Sequence, residues 1–359
     1  MNNHFFKLIL LLAFHIGNGQ VDLTTELTKE QSDLIFEKVK GFPNKAQISI
    51  AIISNGKAKY YGAKRANDSI LTIENHKSVF EIGSITKVFT ATLLADFVIE
   101  GKIELDDNIN DFIDFTIKDN VPISFKQLAT HTSGLPRLPE SLSSPSIDLT
   151  NPYKDYNEEK LKLDLSEKLV MSEKPGTKSE YSNLGVGLLG CVLGEIDNST
   201  YGDLVQTKIF DRHQMSNSTT IRSKVMDKLV LGINENGQEV SNWDMSILMG
   251  AGGILSTTED LTKFAIAHFD DNNKDLGLTR TPFHKATDNF STGLAWGIIT
   301  TESEAIWYWH NGGTGGYTSS MIIDTEEENG VIILSNISAL GTMANNVMSL
   351  CPELMKTLE

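Results

Sequence analysis

Strand-forming segments lie at both ends of this 359-residue chain, and a long, mostly helical stretch separates them. Residues 47–53 and 58–61 are rich in β-branched and aromatic side chains and flank Asn55-Gly56, a dipeptide typical of tight hairpin turns. The same composition recurs near the other end, in residues 294–300, 305–309, 317–324 and 331–336. The simplest architecture joins both groups in one sheet. We therefore predict an α/β (α+β) fold, in which an antiparallel sheet is flanked by helices and carries an inserted, mostly helical region.

Helical signals mark the two ends of the chain and fill its middle. Thr28-x-x-Gln31 is a capping-box pattern, so a helix should begin there and end near residues 41–43. A final helix is expected over residues 342–359, with Pro352 breaking or restarting it. Apolar residues at helical spacing predict further helices over residues 85–98, 123–130, 161–171, 184–195, 203–210 and 258–269.

The order of these segments predicts two domains. Residues 21–80 and 290–359 would form the α/β sheet domain and residues 81–289 the helical domain, with the active site at their junction. Residues 133–160 stand apart, because they are irregular and contain four prolines. A segment of this length either rims a functional site or is an exposed, mobile connection.

The first twenty residues have the three-part pattern of a secretory signal. Lys7 precedes an unbroken apolar run at residues 8–14, and small residues follow at Gly17 and Gly19. The run is too short to span a bilayer, so we expect no transmembrane anchor. We predict export to the periplasm or the medium, with cleavage near residue 19 or 20.

Charge and cysteine content exclude several classes of function. The formal net charge of −16 argues against a nucleic-acid partner, because nothing in the chain would neutralise a phosphate backbone. No cluster of His, Cys and carboxylate residues has ligand spacing, so we expect neither a metal ion nor an organic cofactor. Cys191 and Cys351 lie in apolar segments, and we expect them to be buried free thiols.

Ser84-x-x-Lys87 lies where the Phe80–Gly83 segment meets an apolar-periodic helix. On a helix, residues three apart share one face, so the lysine amine can approach the serine hydroxyl. A desolvated lysine has a lowered pKa and can accept the hydroxyl proton. Taken alone the motif is weak, since Ser and Lys also serve as a helix cap and a solvated surface residue.

Two further clusters have the polar groups that such a nucleophile needs. Tyr181 and Asn183 alternate along a turn, so both can face one pocket, where a phenol near a lysine can act as a general base. Asn183 could bind a substrate amide and orient Lys87. His310 opens a glycine-rich turn that follows a strand, where Gly312 and Gly313 let a ligand lie against the backbone. Each cluster alone is better explained by packing or by an ordinary turn.

Together, the three motifs resemble the serine β-lactamase and penicillin-binding protein superfamily. The Tyr-x-Asn form is similar to class C β-lactamases, D-Ala-D-Ala carboxypeptidases and related esterases. The resemblance covers roughly residues 25–358 and implies a β-lactamase/transpeptidase-like fold. Its blocks occur in the expected order, at residues 80–84, 128–136, 181–185, 250–254 and 310–317.

The resemblance implies a role for each catalytic candidate. Ser84 would be the nucleophile, Lys87 its partner, and Tyr181 the general base and later the acid. Asn183 would contact the amide side chain of the substrate. His131, which lies in one of the shared blocks, sits at a helix end and is expected to be structural.

The glycine-rich turn would bind the substrate. The backbone N–H groups of Ser84 and Gly313 would form an oxyanion hole, and His310 and Gly312 would line the pocket. His310 departs from the typical class C pattern, which has a lysine there as a permanent cation. If His310 must be cationic to hold a substrate carboxylate, kcat/KM should fall above a pH of about 6.5.

The implied activity is that of a serine hydrolase working through an acyl-enzyme, with β-lactams as the leading substrates and antibiotic resistance as the implied role. A D-Ala-D-Ala carboxypeptidase or a carboxylesterase could use the same residues. A non-hydrolysing penicillin sensor is a further alternative, disfavoured because no membrane helix or output domain is evident. We expect a small-molecule or peptidoglycan-derived substrate and a monomeric protein.

Overall fold

The computed structural model describes residues 27–143 and 147–359. The predicted secretory signal, residues 1–20, lies outside the described residues, and so does Pro145 of the irregular segment. The helices in the described part are α1 Lys29–Val39, α2 Thr86–Ile99, α3 Phe125–Ala129, α4 Glu158–Leu163, α5 Asn183–Ile196, α6 Tyr201–Val205, α7 Met249–Gly252, α8 Thr258–Ala267, α9 Lys274–Thr279 and α10 Ala344–Lys356. Within these residues, no helix is both long enough and apolar enough to cross a membrane.

The strands of the large sheet come from the two ends of the chain, as the sequence predicts, whereas β4 and β5 form a separate pair. They are β1 Gln47–Ser54, β2 Lys57–Ala66, β3 Ser69–Thr72, β4 Phe80–Glu81, β5 Leu255–Ser256, β6 His284–Lys285, β7 Phe290–Thr292, β8 Gly297–Thr300, β9 Ile306–Gly313, β10 Thr318–Asp324 and β11 Asn329–Ser335. Nine of the described strands form one antiparallel sheet in the order β3-β2-β1-β11-β10-β9-β8-β7-β6. The pairing of β1 with β11 joins the N-terminal hairpin to the C-terminal strands. The predicted fold class is therefore confirmed.

The two faces of the sheet belong to different hydrophobic clusters. Alternate residues of β1, such as Ile50 and Ile52, face the terminal helices α1 and α10, while Ala51 and Ile53 face the larger cluster. This alternation follows from the period of two along a strand. Helix α8, from the middle of the chain, also packs against β1 and β11 on the side of the larger cluster.

Helix α2 lies at the centre of the helical region and is buried along almost its whole length. A helix with no polar face is stable only when other elements cover all its sides. Helices α5, α7 and α9 pack around it. Because Lys87 occupies the first turn of α2, this packing also determines the surroundings of the lysine.

Local sequence signals at the two ends of the chain were sound, with one exception. The capping box forms as expected, with the Gln31 backbone N–H donating to Thr28 Oγ1 and the Thr28 N–H donating to Gln31 Oε1. The hairpin turns at Asn55-Gly56, whose φ values of +49° and +70° suit this dipeptide. The expectation that Pro352 breaks the last helix is wrong, because α10 continues through it. The buried face of α10 on the sheet compensates for the missing hydrogen bond.

The shortest strands were not predicted from the sequence. Strands β3 to β7 have between two and four residues each, too few to display a period of two. The helices predicted over residues 161–171 and 203–210 begin earlier, as α4 and α6, and each continues into a π-helical turn. Cys191 and Cys351 are both free thiols, as expected, but only Cys351 is buried, since Cys191 is partly exposed.

His268 generates a prediction about stability. It is buried between Phe264 and Trp296, and neither of its ring nitrogens has a hydrogen-bond partner in the described part of the chain. Burial, helped by the charges of Arg280 and His213, holds its pKa well below the usual value. The unfolded chain therefore takes up a proton below a pH of about 6.5 that the folded protein excludes.

We expect the free energy of unfolding to decrease as the pH falls below about 6.5, with His268 contributing up to ~1.4 kcal/mol per pH unit. Urea unfolding between pH 4.5 and 8 measures this slope. His268→Phe should reduce it, whereas the control His284→Gln, on β6, should not. Identical slopes in His268→Phe and the unmodified protein would show that this imidazole is not responsible.

Candidate active site

Ser84 lies in a single 3₁₀ turn, Gly83–Ile85, that leads directly into α2. This places its hydroxyl at the N-terminal end of a helix, where backbone N–H groups are free of intrahelical partners. Lys87 follows one turn later on the same face. The Lys87 Nζ atom lies 2.9 Å from Ser84 Oγ, so the two groups predicted to work together are in hydrogen-bond contact.

The amine of Lys87 is fully buried. Its second hydrogen bond, of 2.6 Å, goes to the backbone carbonyl of Ala251 in α7. No carboxylate forms an ion pair with Lys87 within the described residues. Burial, and next the positive charge of Arg137, lower the pKa of Lys87 well below its usual value. The lysine is therefore driven toward the neutral amine, which can accept a proton.

The glycines of β9 pack directly against the turn that carries Ser84. Gly83 has a φ of +51°, and a Cβ atom there would lie 2.5 Å from the backbone nitrogen of Gly313. A Cβ atom on Gly312 would lie 2.0 Å from the Ile82 carbonyl oxygen and 2.9 Å from the Ser84 nitrogen. Ser319 Oγ, on β10, also donates to the Ile82 carbonyl at 2.8 Å. Only glycine allows the sheet and this turn to approach so closely.

Tyr181 projects into the same place from the extended chain before α5. Its ring centroid lies 4.9 Å from Lys87 Nζ, 4.9 Å from the guanidinium carbon of Arg137 and 4.5 Å from the imidazole of His131. Burial raises the pKa of Tyr181 to about 12, although the Ser84 hydroxyl and the Arg137 charge act in the opposite direction. The phenol is consequently protonated at neutral pH.

Ser182 fixes the backbone beside Tyr181. Its hydroxyl caps α5 by accepting the Gly185 N–H at 2.9 Å and donates to the Pro136 carbonyl at 2.7 Å. The Ser182 N–H donates to Nδ1 of His131 at 3.2 Å. His131 is buried, and burial holds its pKa well below the usual value, so a neutral imidazole supports the Tyr181 ring. These contacts agree with the structural role expected of His131.

Asn183 makes different contacts from those predicted. Its Nδ2 group donates to the Tyr153 hydroxyl at 3.3 Å, and within the described residues no hydrogen bond joins it to Lys87. Its Oδ1 atom is buried and has no partner in the same part of the chain. A buried amide oxygen of this kind can accept a hydrogen bond from a substrate N–H.

His310 lies on β9, opposite Met321 of β10, and is buried. Its Nδ1 atom is 2.6 Å from the carbonyl oxygen of Asn311, so Nδ1 carries the proton and Nε2 is an acceptor. Burial, and next the charge of Lys87, lower the pKa of His310 to about 3. At physiological pH His310 is therefore a neutral imidazole rather than a substitute for a lysine cation.

Residues 310–313, predicted as part of a turn, belong to β9, and the turn itself is residues 314–317. The buried carboxylate of Glu81 contacts this turn at Thr314. Glu81 Oε1 accepts hydrogen bonds from Asn242 Nδ2 at 2.7 Å and from the Trp243 N–H at 3.1 Å. Asn242 also donates to the hydroxyl of Tyr317 at 3.0 Å. Burial raises the pKa of Glu81. This network links the segment before Ser84 to the strand that follows the turn.

The structure thus brings together the residues that the motifs singled out, namely Ser84, Lys87, Tyr181, Asn183, His310, Gly312 and Gly313. Sequence reasoning missed Arg137 and Tyr153, which both lie in the irregular segment 133–160 and contact Tyr181 and Asn183 respectively. The length and proline content of that segment were the available signal. Within residues 27–143 and 147–359, no group of three or more His, Cys, Asp or Glu side chains is arranged to hold a metal ion.

Comparisons with known proteins show which family the chain resembles. A family model described as "Beta-lactamase" matches residues 37–346. "Beta-lactamase-like protein 4" of Dictyostelium discoideum is 31% identical over 249 residues, which cover 63% of this chain and 41% of that protein. The aligned part is therefore less than half the length of this relative.

Two solved structures share the fold. "A class C beta-lactamase" superposes with a TM-score of 0.76 at 21% identity and covers 92% of this chain and 96% of its own. The "octameric penicillin-binding protein homologue from Pyrococcus abyssi" superposes with a TM-score of 0.73 at 23% identity, covering 91% and 77%. At these sequence identities, the similarity shows a shared fold and nothing more specific.

The crowding at Gly83 generates a second prediction. Gly83→Ala should slow the labelling of Ser84 by a fluorophosphonate ~100-fold or more, because displacement of a reacting group by about 1 Å has an effect of that size. Gly101→Ala is the matched control, since its φ of +71° imposes similar backbone strain but no atom lies within 4 Å of the added Cβ. The control should lose stability and keep its labelling rate. Equal rates in the two variants would contradict the proposed crowding.

Proposed function

The chain belongs to the beta-lactamase family, a family of serine hydrolases, and we propose that it cleaves amide or ester bonds through a Ser84 acyl-enzyme. β-Lactam amides are the leading substrates. The observation that carries the proposal is the 2.9 Å contact between Ser84 Oγ and the buried amine of Lys87, whose pKa burial lowers. A hydroxyl paired with a neutral amine can lose its proton as it attacks a carbonyl carbon.

In this proposal Lys87 is the base of the acylation step. Ala251 accepts one amine hydrogen, which leaves the lone pair of Nζ available for the Ser84 hydroxyl proton. A bond forms between Oγ and the carbonyl carbon, and the bond to the leaving group breaks. The raised pKa of Tyr181, about 12, supports a phenol that passes the proton on to the leaving group rather than a phenolate base. The family resemblance implied that Tyr181 is the general base of acylation and later the acid. In this proposal Lys87 is the base and Tyr181 is the acid.

The oxyanion of the tetrahedral intermediate would be held by the backbone N–H groups of Ser84 and Gly313. The close approach of Gly312 and Gly313, on β9, to the turn that carries Ser84 supports this role, because it holds the two backbone segments side by side. Donors fixed in a buried site stabilise developing charge without reorganisation at the moment of reaction. A water molecule would then hydrolyse the acyl-enzyme.

A carboxylesterase is the second candidate, and the neutral state of His310 favours it. A D-Ala-D-Ala carboxypeptidase is a third, although its substrate ends in a carboxylate. A buried imidazole with a pKa of about 3 supplies no positive charge to a substrate carboxylate. Esters without a carboxylate lose nothing at such a site. The turnover of a chromogenic cephalosporin, a D-Ala-D-Ala peptide and a short-chain aryl ester, measured side by side, separates the three activities.

Ser84→Ala should reduce the turnover of every active substrate by ~1000-fold or more, because the covalent intermediate cannot form. Mass spectrometry of the protein mixed with substrate should show the acyl adduct only when Ser84 is present. Ser303→Ala, in an exposed turn, is the control and should behave as the unmodified protein. Turnover that survives in Ser84→Ala would overturn the proposal.

The neutral His310 leads to an expected pH profile. For a substrate with a carboxylate, kcat/KM should not fall near a pH of about 6.5, because His310 is already neutral well below that value. A loss of activity is expected instead toward acid pH, where Lys87 takes up a proton. His310→Gln should retain the shape between pH 5.5 and 8. A falling limb near pH 6.5 that disappears in this variant would show that a cationic His310 binds the carboxylate.

A further inference from the structure

Two hydrogen bonds hold the backbone of Arg137 next to the active site. Its carbonyl oxygen accepts the Asn183 N–H at 3.0 Å and the Leu184 N–H at 3.3 Å, so it is tied to the first residues of α5. The guanidinium carbon lies 4.9 Å from the centroid of the Tyr181 ring. The side chain is exposed, whereas Lys87 beside the same ring is fully buried.

The guanidinium of Arg137 is unlike those of the other four arginines in the chain. Arg65, Arg212, Arg222 and Arg280 each donate at least one hydrogen bond to a protein acceptor. The Arg137 guanidinium donates none to a residue in the described ranges, and it forms no ion pair there. An arginine has five N–H donors in a planar fork that matches a carboxylate. The guanidinium therefore lies over the Tyr181 ring with its N–H donors unused by the described residues.

Among the described residues of the site, no other group offers an accessible positive charge. Lys87, His131 and His310 are buried, with at most 7% of each residue exposed. Burial favours the neutral form of all three. Within the described ranges, Arg137 is therefore the cation available to an anionic substrate group that enters beside Tyr181.

We propose that Arg137 binds the carboxylate of the substrate and so selects acyl substrates that carry a negative charge close to the scissile bond. This inference rests on the proposed acyl-enzyme function of Ser84. It assigns to the irregular segment the charge that a lysine on the β9 strand would otherwise supply. Carboxylates of β-lactams and of D-Ala-terminated peptides share this chemistry.

A different role for Arg137 would be to act through Tyr181, whose pKa its charge lowers. That role would affect every substrate equally, charged or neutral. Pairs of substrates that differ only in the carboxylate distinguish the two roles. One pair is a chromogenic cephalosporin and its methyl ester; the other is a 4-nitrophenyl ester of glutaric acid and the same ester with its free carboxyl methylated.

The rate constant for acylation of Ser84 is measured for both pairs by stopped flow and mass spectrometry, at the optimal pH of each variant. Arg137→Gln should lower it ~10- to 100-fold for at least one carboxylate substrate, with less than ~2-fold change for its methyl ester. Arg137→Lys should recover part of the loss. Arg65→Gln is the control, because it removes the same charge from β2, which lies four strands, or about 19 Å, away from β9 in the sheet. It should leave the rate constant unchanged for every substrate of both pairs.

Equal losses on both members of each pair, or no loss on any, would overturn the role of Arg137 as the carboxylate-binding residue. Labelling of the unmodified protein by a fluorophosphonate separates this failure from failure of the proposed function. If Ser84 is labelled and the neutral ester acylates it, but Arg137→Gln shows no selectivity, the inference alone fails. If Ser84 is neither labelled nor acylated, the acyl-enzyme function fails and the inference fails with it.

Discussion

The burial of the Lys87 amine beside Ser84 is the constraint that the surrounding structure has to satisfy. A charged ammonium without a carboxylate partner is costly in a dry interior, so the site favours the neutral amine. Three separate parts of the chain are needed to achieve this: α2 carries the lysine, α7 supplies the Ala251 carbonyl, and the glycines of β9 close over the serine turn. The chemistry therefore depends on the joining of the helical region to the sheet.

The same site distributes its basic groups in two ways. Lys87, His131 and His310 are enclosed and tend toward the neutral form, while Arg137 remains in contact with solvent. Neutral groups suit proton transfer and the support of an aromatic ring, and an exposed guanidinium suits recognition of an anion. A histidine on β9 in place of a lysine is then compatible with anionic substrates, because the cation stands on a different segment.

Much of the fold was predictable because the signals that encode it are local. The capping box at Thr28 and the Asn55-Gly56 turn depend on residues within a few positions of one another. Runs of β-branched and aromatic residues placed the longer strands at both ends of the chain. Prediction failed for the short strands β3 to β7. At Pro352, packing of α10 on the sheet outweighed a local helix-breaking preference. Local rules carry no information about such long-range compensation.

By itself, the sequence determined which groups could react and in what order they occur, since helical spacing alone places Ser84 and Lys87 on one face. Only the tertiary structure decided the protonation of those groups, because burial depends on segments that are distant in sequence. It lowered the pKa of Lys87 and His310, raised that of Tyr181, and turned Asn183 toward Tyr153 rather than Lys87. It also brought Arg137, from a segment without regular structure, into contact with Tyr181, which no periodic pattern could have indicated.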